Sequence, residues 1–82
     1  MNKVIKAGTV FANNRAPNTH NEIVKVYMSR DNLRGRNLKM VDVEQYGTTL
    51  ENKDVNRKIT FFASEITGGL RRGIIHLVLV RQ

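Results

Sequence analysis

Two tyrosines, two adjacent phenylalanines and a set of clustered arginines are the residues through which this 82-residue chain could recognise a partner. Tyr46 stands directly before Gly47, and Tyr27 follows Lys25 by two positions. An exposed aromatic ring gives a base a surface to stack on, worth about 1–3 kcal/mol per base, and a nearby cation strengthens the contact. Arg30, Arg34, Arg36 and Lys39 crowd one polar stretch, and Arg71 and Arg72 stand among glycines in another. Guanidinium groups pair with phosphate and also stack on bases, so both clusters suit a nucleic-acid ligand. Each residue also has a plainer use. A tyrosine can cover the edge of a barrel, and loop arginines can simply be solvated. Phe61 and Phe62 alternate, so one of them faces solvent or a partner, and either order fits the pattern.

Bond-breaking chemistry has no visible carrier. His20 and His76 lie far apart in the chain, and neither stands at metal-ligand spacing from a carboxylate. There is no cysteine, which excludes disulfides and thiolate metal sites. No nucleophile elbow, Walker loop or dinucleotide fingerprint occurs. Thr67-Gly68-Gly69 lacks the strand-to-helix context of a phosphate-cradling loop. The expectation is a protein that is not an enzyme and needs no cofactor or metal.

Charge points the same way as the aromatics. Fourteen Lys and Arg stand against seven Asp and Glu, a net charge of +7. The excess is concentrated in residues 1–41, with eight basic and two acidic side chains, against six and five in residues 42–82. Such a balance favours a polyanion, because each neutralised phosphate releases condensed counterion. It also serves solubility alone in many small proteins. Asp42 and Glu44 alternate onto the Tyr46 face, where carboxylates would oppose a phosphate path unless they pair with Lys39 or Arg34.

Strands must position these residues. A first apolar stretch covers residues 3–12, and Asn13 to Asn21 reads as a polar, proline-containing loop. Residues 22–29 alternate, with Val24, Val26 and Met28 opposite Lys25, Tyr27 and Ser29. Ser29 to Asn37 is a loop, and residues 38–46 form a third strand with Val41 and Val43 inward. A polar connection, residues 47–57, has room for at most one helical turn. Residues 58–66 make a fourth strand, Thr67 to Gly73 a glycine-rich turn, and residues 74–81 a fifth strand apolar on both faces. No stretch carries a convincing 3.6-residue apolar period. Five strands with no helix to block their edges predict one all-β domain over residues 1–82, closed as a small barrel. The two loops bearing arginine are then hairpin tips that flank the ligand groove.

The order of motifs resembles bacterial single-stranded-DNA-binding proteins. Met1-Asn2-Lys3-Val4-Ile5 with Gly8 is similar to their first strand. Val41 to Asn52, with the aromatic-glycine pair Tyr46-Gly47 followed by Glu51, is similar to their third strand and its turn. The agreement covers about two-thirds of the chain and implies a five-stranded OB-fold barrel. It also implies single-stranded DNA as ligand, in DNA replication, recombination or repair. The departures are a helix reduced to Asn52–Asn56, Met40 and no Trp at the accompanying aromatic positions, and an end at Val80-Arg81-Gln82 without an acidic tail. That plan is nearer the primosomal replication protein N. The expected binding set is Lys25, Tyr27, Arg30, Arg34, Arg36, Lys39, Tyr46, Phe62, Arg71 and Arg72.

Two other readings compete. Leu33-Arg34-Gly35-Arg36 followed by Leu38 to Asp42, and later Leu50-Glu51-Asn52, resembles an Sm-like RNA-binding barrel, at the cost of two one-residue insertions. Alternatively, the apolar fifth strand drives assembly of an interaction module that has no nucleic-acid ligand. A chain this short buries only about 60% of its unfolded surface, so a homodimer or homotetramer is expected. No apolar run approaches the roughly 18 residues of a membrane span, and the N-terminus is no secretory signal. Cytoplasmic location and no membrane partner are therefore the expectation.

Overall fold

The computed structural model describes residues 4–48 and 54–80. The expectations resting on Met1-Asn2-Lys3, on Leu50, Glu51 and Asn52, and on Arg81-Gln82 lie outside the described residues. The elements are β1 (Val10–Asn13), β2 (Ala16–Asp31), β3 (Arg36–Thr48), β4 (Asp54–Phe62), α1 (Ala63–Arg72) and β5 (Ile75–Leu79). The five strands form one antiparallel sheet in the order β4-β3-β2-β1-β5. Strands β1 to β4 run as a meander, and β5 returns beside β1. Among the described residues β4 and β5 are the two edges and no strand pairing joins them.

Alternation decides which side chains meet in the core. Ile23 of β2 and Val41 and Val43 of β3 are fully buried. Around them pack Ile5, Phe11, Ala63 and Ile66, with Phe61, Leu70 and Ile75 partly covered. Each buried branched side chain contributes about 1.5–3 kcal/mol of hydrophobic stabilisation. Phe11 and Phe61 meet edge to face, ring centroids 6.2 Å apart. Phe61 is thus the inward member of the phenylalanine pair.

A β-bulge sets the faces of the long β2–β3 hairpin. Ile23 pairs with Val43 and Lys25 with Asp42, so Val24 is an extra residue on β2. One inserted residue reverses the alternation beyond it. Odd-numbered residues before the bulge (Thr19, Asn21, Ile23) face the core; odd-numbered residues after it (Lys25, Tyr27, Ser29) face outward.

Helix α1 replaces both the end of the expected fourth strand and the glycine-rich turn after it. Ala63, Ile66 and Leu70 lie at i, i+3 and i+7, one helical stripe, and they turn onto the core. The Phe62 N–H donates to the Glu65 carboxylate at 3.0 Å, securing the first turn. Gly73, at φ 73°, ends the helix. Its N–H donates to the Leu70 carbonyl, and the Ile74 N–H to that of Gly69. The expected loop at residues 13–21 is also mostly strand. The β1–β2 register jumps from Ala12↔His20 to Asn13↔Ala16, which leaves Pro17 with no ladder partner on that side.

Gly47 occupies φ 119°, and a Cβ there would run into the Asn18 carbonyl oxygen of β2. A glycine after Tyr46 is therefore a requirement of close strand approach. Gly47→Ala should destabilise the fold by about 1–3 kcal/mol. Urea denaturation checks this, and an unchanged midpoint would contradict it.

Candidate nucleic-acid interface

The register sorts the chemistry-bearing side chains into rows across the outward face of β2, β3 and β4. Tyr27 lies opposite Met40, and Met40 opposite Phe62. The next row is Lys25, Asp42 and Thr60, and the one after it Glu22, Glu44 and Lys58. The last is His20, Tyr46 and Asn56. Tyr46 is 39% exposed and Phe62 43%. Along β3, Tyr46 and Met40 are six residues apart, about 20 Å at the usual rise per residue.

Contacts within this face hold the rings in place. The Tyr27 hydroxyl donates to Asp42 Oδ1 at 3.1 Å, and the Thr60 hydroxyl donates to the same oxygen at 2.9 Å. Lys25 Nζ lies 5.2 Å from the centre of the Tyr27 ring, a cation–π arrangement. His20 stacks on Tyr46, with centroids 5.7 Å apart and planes at 26°. Asp42 therefore serves Tyr27 and Thr60; of the partners open to it from residue order, Arg34 is engaged elsewhere. Arg34 pairs with Asp31 at 3.5 Å.

Of the ten expected binding residues, the structure brings Lys25, Tyr27, Tyr46 and Phe62 onto this one face. Arg36 shares their side of β3, at the end of the hairpin opposite Asp31. Arg30 and Lys39 fall on the other side of the ribbon, and Arg34 lies in the turn between the strands. Arg71 and Arg72 are in the last turn of α1. That helix ends beside the β1–β2 turn, where the Asn14 N–H donates to the Ile74 carbonyl and the Asn14 side chain to that of Gly73. The two arginine clusters thus sit at opposite ends of the 16-residue β2 and do not flank one groove. The reason is the helix, which carries the chain back along the sheet where a hairpin was expected.

Met40 lies on the Tyr46 face as strand alternation predicts, while His20 and Lys58 belong to the face and were not anticipated. For His20 only the strand register supplies the link, since residues 13–21 read as loop. The core side has its own polar layer. The Asn21 side chain donates to the Phe11 carbonyl, Gln45 to Asn21 Oδ1 at 2.8 Å, and Arg57 Nε to Gln45 Oε1 at 2.8 Å. Beside it a cavity of about 600 Å³ opens between the sheet and α1, with Asn13, Phe61 and Arg72 in its lining. Among the described residues no cluster of His, Asp and Glu could hold a metal ion. No helix there is long and apolar enough to cross a membrane. No protein-family model matches the chain, and neither a curated protein nor a solved structure matches it.

Loss of solvent around the Tyr27 phenol raises its pKa above the ordinary value, and the Asp42 carboxylate pushes it the same way as acceptor and as charge. The fold therefore favours the neutral phenol. Its contribution to stability holds at neutral pH and is lost as the pH climbs from about 10 through the raised folded-state value. An ultraviolet phenolate titration should place Tyr27 above pH 10, with Asp42→Asn moving it down. A Tyr27 titration indifferent to Asp42→Asn would contradict this arrangement.

Proposed function

We propose that this chain binds single-stranded nucleic acid, without catalysis, across the outward face of β2, β3 and β4. The observation that carries the reading is the register. It sets Tyr27, Phe62 and Tyr46 on one solvent-facing surface with Lys25 and Lys58, in a chain of net charge +7. Aromatic stacking platforms bind bases of any sequence, because every base has a π-face. The His20–Tyr46 stack and the Tyr27–Met40–Phe62 row would hold bases at two ends of an extended strand. Lys25 on β2 and Lys58 on β4 flank the β3 carboxylates Asp42 and Glu44, so phosphates would be met at the two sides of the face while bases lie on the rings.

The barrel type and the nucleic acid are linked. Binding on the face of strands two and three agrees with an OB-type barrel, and with single-stranded DNA in replication, recombination or repair. Strand order favours a second reading. An OB barrel sets its first strand beside the fourth and its third beside the fifth, whereas here β1 lies beside β5 and β3 beside β4. A meander of four with the fifth strand returned beside the first is the order of Sm-like and SH3-like barrels, which makes single-stranded RNA the rival ligand. Self-association belongs to either reading. The edge strand β5 leaves Leu77, Val78 and Leu79 between 38% and 48% exposed, an apolar strip that a second copy would cover. Light scattering should give at least a dimer, and a monomer would count against it.

Tyr46→Ala and Phe62→Ala should each weaken binding of an oligonucleotide by about 1–3 kcal/mol without unfolding the sheet. Affinity should fall with salt along a log–log slope of about −0.7 per phosphate contacted. Anisotropy titrations with oligo-dT and oligo-U measure both and rank DNA against RNA. Unchanged affinity in both variants, or binding indifferent to salt, would overturn the proposal.

A further inference from the structure

The single-strand face leaves a second basic feature unused. β1 covers β2 only as far as Glu22, and β4 stops pairing at Met40↔Phe62. Beyond that row β2 and β3 continue alone through Met28↔Lys39, Ser29↔Leu38, Arg30↔Asn37 and Asp31↔Arg36. They form a free two-stranded arm reaching about 13 Å past the aromatic row, plus its turn. The molecule is correspondingly drawn out, 42 Å along its longest axis against 23 Å across.

The turn of the arm is closed by hydrogen bonds, and its charge is nearly all of one sign. The Asp31 carboxylate accepts from the Leu33 and Arg34 N–H groups at 3.1 and 3.3 Å, and the Gly35 N–H donates to the Asp31 carbonyl at 2.8 Å. Gly35 sits at φ 65°, where glycine costs least. Arg30, Arg34, Arg36 and Lys39 stand on the arm against Asp31 alone. At its apex is Leu33, 99% exposed, an apolar side chain with nothing of its own chain to cover it.

We propose that this arm docks in the minor groove of a duplex, with Leu33 as a wedge between base pairs. The minor groove of regular B-DNA is only about 6 Å wide, so a two-stranded ribbon enters it as the groove is opened. Cations on both faces of the arm would then meet the phosphates of both strands. An apolar tip inserted from the minor groove partly unstacks one base step and kinks the helix, which lets more of the ribbon touch the backbone. Charge complementarity selects the occupant: four cations around a bare leucine fit a polyanion with a stacked apolar interior. The inference does not rest on the single-strand reading, because none of Arg30, Leu33 and Arg34 lies on the aromatic face.

The test uses the full chain with a short blunt DNA duplex labelled at both ends for energy transfer, and oligo-dT in parallel. The duplex should bind and its ends should approach. The double variant Arg30→Ala, Arg34→Ala, which leaves the aromatic face untouched, should lower duplex affinity at least tenfold and flatten the salt slope by about 2, near 0.9 per lost phosphate contact. Leu33→Ser, at a fully solvated position, should abolish the bend while the circular dichroism spectrum stays unchanged. Tyr46→Ala should leave duplex binding intact. A duplex that does not bind, a bend that survives Leu33→Ser, or oligo-dT affinity falling in step with duplex affinity in the double variant would overturn the proposal. So would Leu33-dependent binding to anionic phosphatidylglycerol vesicles in place of the duplex.

Discussion

One extra residue in β2 decides what this sheet can present to a ligand. Had Val24 not bulged, strict alternation would have carried Lys25 and Tyr27 onto the side of Asn21 and Ile23, inside. β3 has no matching bulge against β2, so its even-numbered residues, Met40, Asp42, Glu44 and Tyr46, share one face throughout. The bulge brings β2 into agreement with β3 at both ends of the hairpin, with His20 beside Tyr46 before it and Tyr27 beside Met40 after it. The core depends on the same device, because Val26 then meets Val41 and Phe61 where Tyr27 would otherwise have gone.

That dependence explains which parts of the fold were legible from residue order. β3 was read almost to its ends, because Val41 and Val43 alternate cleanly with charged neighbours. The outward turn of Lys25 and Tyr27 was legible too, since the local pattern after the bulge is regular. What preceded the bulge was not. His20 sits in a stretch of Asn, Thr and Pro that composition marks as loop, and only pairing with β1 and Gly47 makes it strand. Helix α1 was missed because Gly68 and Gly69 argue against a helix, each by about 1 kcal/mol. Its true signals were present: the Ala63, Ile66 and Leu70 spacing, Glu65 in the first turn and Gly73 as terminator. The close approach of Gly69 to Ile75, where a Cβ would lie 3.1 Å from Ile75 Cγ1, accounts for one of the glycines.

Electrostatics follows from the same geometry. Residue order predicts both arginine clusters at the mouth of one groove, yet the fold separates them. Lys25 stays with the aromatics, Arg30, Arg34, Arg36 and Lys39 go out along the arm, and Arg71 and Arg72 gather near Asn14 at the far end. Such separation gives each cluster its own reach, since exposed charges more than about 8–10 Å apart are largely screened at physiological salt. Carboxylates remain where they order a neighbour. Asp42 fixes Tyr27, and Asp31 shapes the turn under Leu33.

The central claim is that bases lie on the outward face. Photo-crosslinking of the chain to an oligonucleotide bearing iodo-uracil, followed by peptide mass spectrometry, tests it most directly. Adducts on Tyr27, Tyr46 and Phe62 are the predicted result. Adducts confined to Phe11 or Phe61, on the core side of the sheet, would contradict it.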